Sequence, residues 1–270
     1  MIIVRLSGNL GEQMFQYAIG RRLALIHRTE LKLDIGAFEN TPHDFLLDRF
    51  RIQASVAEQR DMSQLVNLHY LRRAQEEPQA APYLIRTDSE DNPYLVTVRD
   101  NTYLTGQCWT LRYFQSIAAH LRAELRVQEP PTGPNRRMLK ALRRENAVSM
   151  HLCRGENAPP LDYYYRAAET IAERTARPVF YLFCDDPAWC KENFFLNYPV
   201  RYAEHNQAAQ AYENFRLMRA CRHHIAANSA TSWWAAWLGE TKGSLTIAPK
   251  SGYPADEAPE QFLPAHWITY

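Results

Sequence analysis

The stretch SMHLCRGENAPP, residues 149–160, places His151 and Arg154 three apart at the end of an apolar run, followed by Gly155 and Glu156. Arginine is always charged and presents a fork of donors that fits a phosphate. Histidine adds a second donor when protonated or in the right tautomer. The alternative is an Arg–Glu surface pair around a turn, which a motif this short does not exclude. A second stretch, ANSATSWWAAWLGE, sets Asn228, Ser229, Thr231 and Ser232 before a tryptophan-rich run. Ser and Thr cap helices, and the N–H groups of a first helical turn bind anions. Capping and anion binding use one geometry here, with Trp233, Trp234 and Trp237 as core.

In CDDPAWCKE, Asp185 and Asp186 are adjacent. Hard cations need more oxygen ligands than two neighbouring carboxylates, which point to opposite sides of an extended chain. The reading is no metal: one Asp bonds a ligand's base or sugar and the other caps the next helix. CRHH, residues 221–224, lacks the spaced second pair of a zinc site and reads as packing. Near the start, SGNLGEQMFQYAIG holds three of the chain's ten glycines. Gly8 and Gly11 can take φ > 0 and let another group approach the backbone.

These residues must be held by ordered elements. MIIVRL reads as a strand, EQMFQYAIGRRLALIHR as an amphipathic helix and ELKLDIGAF as a second strand, a β-α-β unit opening a parallel sheet. Residues 54–76 read as helix, PYLIR, PYLVTV and TYLTGQCW as short strands, and Tyr113 to Arg126 as helix. VQEPPTGPN, with three prolines and a glycine, is the candidate linker. Beyond it MLKALRREN is a basic helix and AVSMHLC a strand. DYYYRAAETIAERT (helix), PVFYLFCDD (strand) and PAWCKENFF (short helix) follow, then YENFRLMRACRHH (helix), HIAANS (strand), SWWAAWLGE (helix) and SLTIAPK (strand). The fold class is α/β: two Rossmann-like domains, 1–129 and 130–270, facing a central cleft. In such sheets ligands bind at the carboxyl ends of strands, which is where SGNLGEQ, HLCRGEN, CDDPAW and ANSATSWW fall.

A chain of 270 residues that is 46% hydrophobic and 23% charged reads as globular, not disordered. A net charge of +1 does not point to nucleic acid as a partner. Five irregularly spaced cysteines fit a reducing compartment rather than a disulfide framework. No run reaches the length of a membrane span, so the expectation is a cytoplasmic protein, at most peripheral to a membrane.

Taken in order, the stretches resemble glycosyltransferase family 11, the α-1,2-fucosyltransferases. GNLGEQMFQYAIGRRLA is similar to that family's GGLGNQMFQYAxGxxLA, TYLTGQCWTLRYFQSI to YLxGYWQSxxYF, and VSMHLCRGEN to VSxHxRRGDY. FYLFCDDPAW, LMRACRHHIAANSATSWWAAWL and IAPK are similar to FSDDxxW, LMxxCxHxIxANSxFSWWGAWL and IAPxxW. The resemblance implies a GT-B type fold and inverting, metal-independent transfer of L-fucose from GDP-L-fucose to a galactose-type hydroxyl. It implies no cofactor beyond that donor. His151, Arg154, Gly155, Asp185, Asn228, Ser229, Thr231 and Ser232 would bind the nucleotide sugar, with His151, Arg154 and Glu156 at the chemistry. Gly8, Asn9, Gly11, Gln13 and Trp109 would face the glycan acceptor, Gln13 as a polar contact. A bacterial setting and a lipid-linked or secreted acceptor follow as expectations. The sequence departs from the pattern at Cys153, where the family has the first Arg of its pair, and at Glu156, where it has Asp. Either Arg154 takes over the phosphate role, or the donor is another GDP-deoxysugar, or the protein binds nucleotide sugar or glycan with weak turnover.

Overall fold

The computed structural model describes residues 1–39, 44–65, 84–86, 98–106, 110–155, 158–251 and 262–270. The chain divides into two units, Met1–Arg126 and Val127–Tyr270. The division falls where VQEPPTGPN begins. The helix Gly133–Leu142 starts inside that stretch, with Pro134 in its first turn. Proline is tolerated there because its missing N–H has no helical partner anyway.

The first unit holds β1 (Ile2–Arg5), β2 (Leu31–Asp34), β3 (Ser55–Val56), β4 (Leu84–Arg86) and β5 (Thr102–Thr105). All pair in parallel, in the order β3-β2-β1-β5-β4. Helix Leu10–His27 crosses from β1 to β2. Gly20 lies where this helix meets the sheet: a Cβ there would sit 2.3 Å from Val4 Cγ2. The expected helix over 54–76 is described only as Gln59–Leu65, preceded by β3. The helix expected from Tyr113 instead begins as two 3-10 turns, Leu111–Tyr113 and Gln115–Ile117, before Ala118–Glu124. Most of PYLVTV lies outside the described residues.

The second unit holds β6 (Asn146–Leu152), β7 (Pro178–Cys184), β8 (Val200–Tyr202), β9 (His223–Ile225), β10 (Thr246–Ala248) and β11 (Ile268–Thr269). They too are all parallel, in the order β11-β10-β9-β6-β7-β8. Helices Leu161–Arg174 and Pro187–Asn193 follow β6 and β7, and Ala230–Gly239 follows β9. The core gathers Val148, Met150, Phe180, Leu182, Tyr164 and Ile247 from sheet and helix. The tryptophans expected in the core are there: Trp233 and Trp237 stack at 5.7 Å and both are buried.

In the second sheet the chain order reverses once, between β6 and β9. Loops leaving two such strands diverge to opposite faces, and the crevice they leave is where open α/β sheets take ligands.

Candidate active site

In the second unit β6 and β9 are adjacent and parallel, with Met150 opposite Ile225. His151 near the end of β6, the segment Cys153–Gly155 that leaves it and Ala226–Ser229 after β9 therefore lie side by side at the reversal. Burial pushes the His151 imidazole below its ordinary range, against the pull of the Asp185 charge. It is a neutral ring at neutral pH and supplies one N–H rather than a charge. Cys153 Sγ lies 3.6 Å from His151 Nδ1. Burial, helped by Asp185, pushes its thiol up to about 12, so it stays protonated. The Cys153 N–H points at the buried Tyr164 hydroxyl, 3.5 Å away.

Arg154 is half exposed, and its Nη1 donates to Asp186 Oδ2 at 2.7 Å. Its guanidinium lies 4.7 Å from the centre of the Trp189 ring, within cation–π range. Asp186 also caps helix Pro187–Asn193, accepting from Trp189 N at 3.0 Å. So Asp186 is the capping residue of the pair and Asp185 is the exposed one. One of the five guanidinium donors is spent on Asp186. Gly155 holds φ +131, a conformation few other residues adopt, with open space around it. Glu156 lies outside the described residues.

Ser229 takes the extended cap conformation before helix Ala230–Gly239, but its side chain makes no cap bond. Among the described residues no cap side chain is bonded to the first-turn N–H groups of this helix. Asn228, Ser229 and Thr231 are half buried. Ser232 departs from its expected ligand role. Its buried hydroxyl accepts from Ala227 N at 3.1 Å and lies 3.1 Å from Ser229 O, which locks the turn. Tyr163 pins the same turn through a 2.6 Å bond to Ala226 O. The histidines of CRHH are internal: His223 bonds Asn146 and accepts from Leu245 N, and His224 bonds Ser149. Among the described residues no group of three His, Cys, Asp or Glu is placed to hold a metal ion.

In the first unit, Asn9 and Glu12 form a capping box. Asn9 Oδ1 accepts from Gly11 N at 3.0 Å, and Glu12 Oε2 accepts from Asn9 N at 2.7 Å. This helix start is closed by its own side chains. Gly8 takes φ +75, and a Cβ there would strike Glu12. Gly11 does not take positive φ; it is a buried residue of the first helical turn. Gln13 is likewise corrected as a free polar contact. It is fully buried, donates to Gly8 O and Asp44 O at 3.0 and 2.9 Å, and accepts from Leu46 N at 3.1 Å. Trp109 lies outside the described residues. Sequence reasoning missed Gln16, which accepts from Ser7 N at 2.9 Å and donates to Gly106 O at 3.3 Å, tying the ends of β1 and β5. The signal was two glutamines three apart on an otherwise apolar helix face. Trp189 and Tyr164, one turn into the helices after β7 and β6, were missed too.

The model of Glycosyl transferase family 11 matches residues 1–269. The chain belongs to glycosyltransferase family 11. This family 11 glycosyltransferase is 29% identical to the alpha-1,2-colitosyltransferase of Escherichia coli, across 95% of this chain and 94% of that one. It is 31% identical to human galactoside alpha-(1,2)-fucosyltransferase 1 across 39% of this chain and 30% of that one. In fold it is similar to fucosyltransferase NodZ from Bradyrhizobium, with TM-score 0.54 and 14% identity over 87% of this chain and 92% of that one. It is also similar to a mutant of Arabidopsis thaliana FUT1 in complex with GDP, with TM-score 0.55 and 11% identity over 92% of this chain and 70% of that one. The fold is of the expected GT-B type, two Rossmann-like α/β units. Among the described residues no helix is long and apolar enough to cross a membrane.

Proposed function

We propose that this glycosyltransferase moves L-fucose from GDP-L-fucose to the 2-hydroxyl of a galactose-type residue in a glycan, with inversion. The second unit takes the donor and the first faces the acceptor. One observation carries the donor assignment: the Arg154 segment and the uncapped helix Ala230–Gly239 leave neighbouring strands at the reversal of the second sheet. A helix start without a side-chain cap turns N–H groups and a positive dipole end toward an anion. The first unit's helix start is filled by Asn9 and Glu12, whose carboxylate disfavours a diphosphate there.

When the sugar–phosphate bond breaks, charge grows on the leaving diphosphate. The remaining donors of Arg154 and the N–H groups of the helix start stabilise it as fixed dipoles and charge. His151 adds a neutral N–H, and Gly155 keeps the backbone open beside it. Asp185 is free to accept from the base or a sugar hydroxyl.

A second reading keeps the site and changes the sugar. The full-length similarity to a colitosyltransferase favours a GDP-linked dideoxysugar, and Cys153 marks a local departure in the donor loop. The test is a panel of GDP-L-fucose, GDP-colitose and a UDP-sugar offered with and without a galactoside, followed by mass spectrometry of products and GDP release. Fucosylated galactoside confirms the proposal. Turnover with GDP-colitose alone selects the second reading, and turnover with the UDP-sugar alone refutes both.

A further inference from the structure

We propose that the helix Gly133–Leu142, with the turn that follows it, is a docking face for an anionic lipid bilayer. Residues 136–144 hold five Lys and Arg and no Asp or Glu, in a chain whose net charge is +1. At 100° per residue, Arg136, Arg137, Lys140, Arg143 and Arg144 fall within an arc of about 120°. All five are exposed. Helical bonding continues past the last regular turn, Arg143 N to Leu139 O at 3.3 Å and Glu145 N to Ala141 O at 3.1 Å, so the last two stay in line.

None of the five has a carboxylate partner among the described residues. Four other cations of this unit do have carboxylate partners: Arg154 with Asp186, Lys191 with Glu204, Arg201 with Glu145 and Arg216 with Glu213. The opposite stripe, Asn135, Leu139 and Leu142, is buried. Asn135 is locked there by reciprocal amide bonds to Asn206 at 2.9 and 3.0 Å and by His205 at 2.7 Å. The helix thus presents its basic arc rigidly.

The arc ends at the amino edge of the second sheet, where β6 begins. Exposed Arg177 and Arg222 stand before β7 and β9, the two strands flanking β6, at the same edge of the sheet. The candidate donor site lies at the carboxyl ends of these strands, so a surface held here leaves it clear. A local basic arc without aromatic side chains fits phosphate headgroups, which attract Lys and Arg within a Debye length. A nucleic-acid binder would carry a basic domain with stacking side chains.

The experiment is co-sedimentation of the full chain with phosphatidylcholine vesicles, with and without phosphatidylglycerol, at low and high salt. The comparison is a variant carrying Arg136→Gln, Arg137→Gln, Lys140→Gln, Arg143→Gln and Arg144→Gln together. The expected result is binding to the anionic vesicles only, reversal by salt, and a loss of more than about a hundredfold in the variant, since each cation contributes about fivefold. An unchanged melting temperature shows that the variant is folded. Should the variant melt early, the same comparison is made with Lys140→Gln and Arg144→Gln alone, where a loss of at least about tenfold is expected. No binding to anionic vesicles at low salt, or equal binding by wild type and variant, overturns the proposal. So does tighter binding to a DNA duplex than to vesicles.

Discussion

Asp186 holds Arg154 with one carboxylate oxygen, at 2.7 Å, while its other oxygen caps the helix that carries Trp189. The guanidinium is thereby held between a charge and an aromatic face. Arg154→Ala should weaken GDP binding by about 1.5–3 kcal/mol, the loss of a charged hydrogen bond. Asp186→Asn keeps a capping oxygen and removes the ion pair. Because that pair is half exposed, folding stability should change by less than about 1 kcal/mol. Calorimetry with GDP checks both variants, and an unchanged affinity in Arg154→Ala would remove this residue from the donor site.

The commitments of Asp186 also bear on metal. With both its oxygens engaged, Asp185 is the carboxylate of the pair left to meet a ligand, too few for a hard cation. Transfer should persist in EDTA. Activity that disappears in the chelator and returns with Mn²⁺ would show that a carboxylate outside these two completes a metal site.

Stability should fall in mild acid. Burial pushes His223 down to about 4 and His224 down to about 3, while both titrate near 6.5 once unfolded. Between these limits the unfolded chain binds protons that the folded chain refuses, so folding weakens as pH drops below about 6.5. The slope approaches about 1.4 kcal/mol per pH unit for each histidine. Urea unfolding at a series of pH values measures it, and His223→Gln should flatten the slope by its share. A midpoint independent of pH across this window would contradict the burial of the pair.

Gln13→Leu removes an amide that makes three bonds and leaves Gly8 O, Asp44 O and Leu46 N without that partner. Gly8 and Leu46 are half-buried and Asp44 is exposed, so each lost bond costs about 0.5–1.5 kcal/mol. The first unit should unfold at lower denaturant, and the Leu46 amide should exchange faster. Normal exchange at Leu46 in the variant would place the loop's anchor elsewhere.

Why some of this could be read ahead of the structure is visible in single residues. The strand–helix alternation and the reversal segments followed from apolar period and from Pro and Gly breaks, which are local. Asp186 as a cap was legible because the position before Pro187 at a helix start is set by local backbone bonding. Gln13 and Ser232 were misassigned for a different reason. Their types suit ligand contact, but their partners lie at Asp44 and Ala227, and only packing decides whether a polar group spends its bonds inward. The Arg154–Asp186 pair, 32 positions apart, depends on β6 and β7 lying side by side. The short strands β3 and β11, two residues each, carry too little pattern to be seen.

The last prediction concerns Cys153. Its thiol is neutral, sits beside a neutral imidazole and has the Tyr164 hydroxyl near its own N–H. In the family resemblance this position carries an arginine, so a positive charge is missing next to the proposed diphosphate. Cys153→Arg would place a second guanidinium within reach of the phosphates, and a charge-assisted contact there is worth about 1.5–3 kcal/mol. GDP-sugar affinity should rise by about tenfold to a hundredfold. The opposing effect is steric, because a long side chain forced among His151 and Tyr164 costs about 1–3 kcal/mol of stability. Measuring melting temperature and GDP affinity on the same variant separates the two. Tighter GDP with modest destabilisation means that the donor loop keeps its ancestral geometry and Arg154 alone now carries the charge. Lower stability without a gain in affinity means that the loop has repacked around the thiol, and the assignment of Arg154 to the diphosphate falls with it.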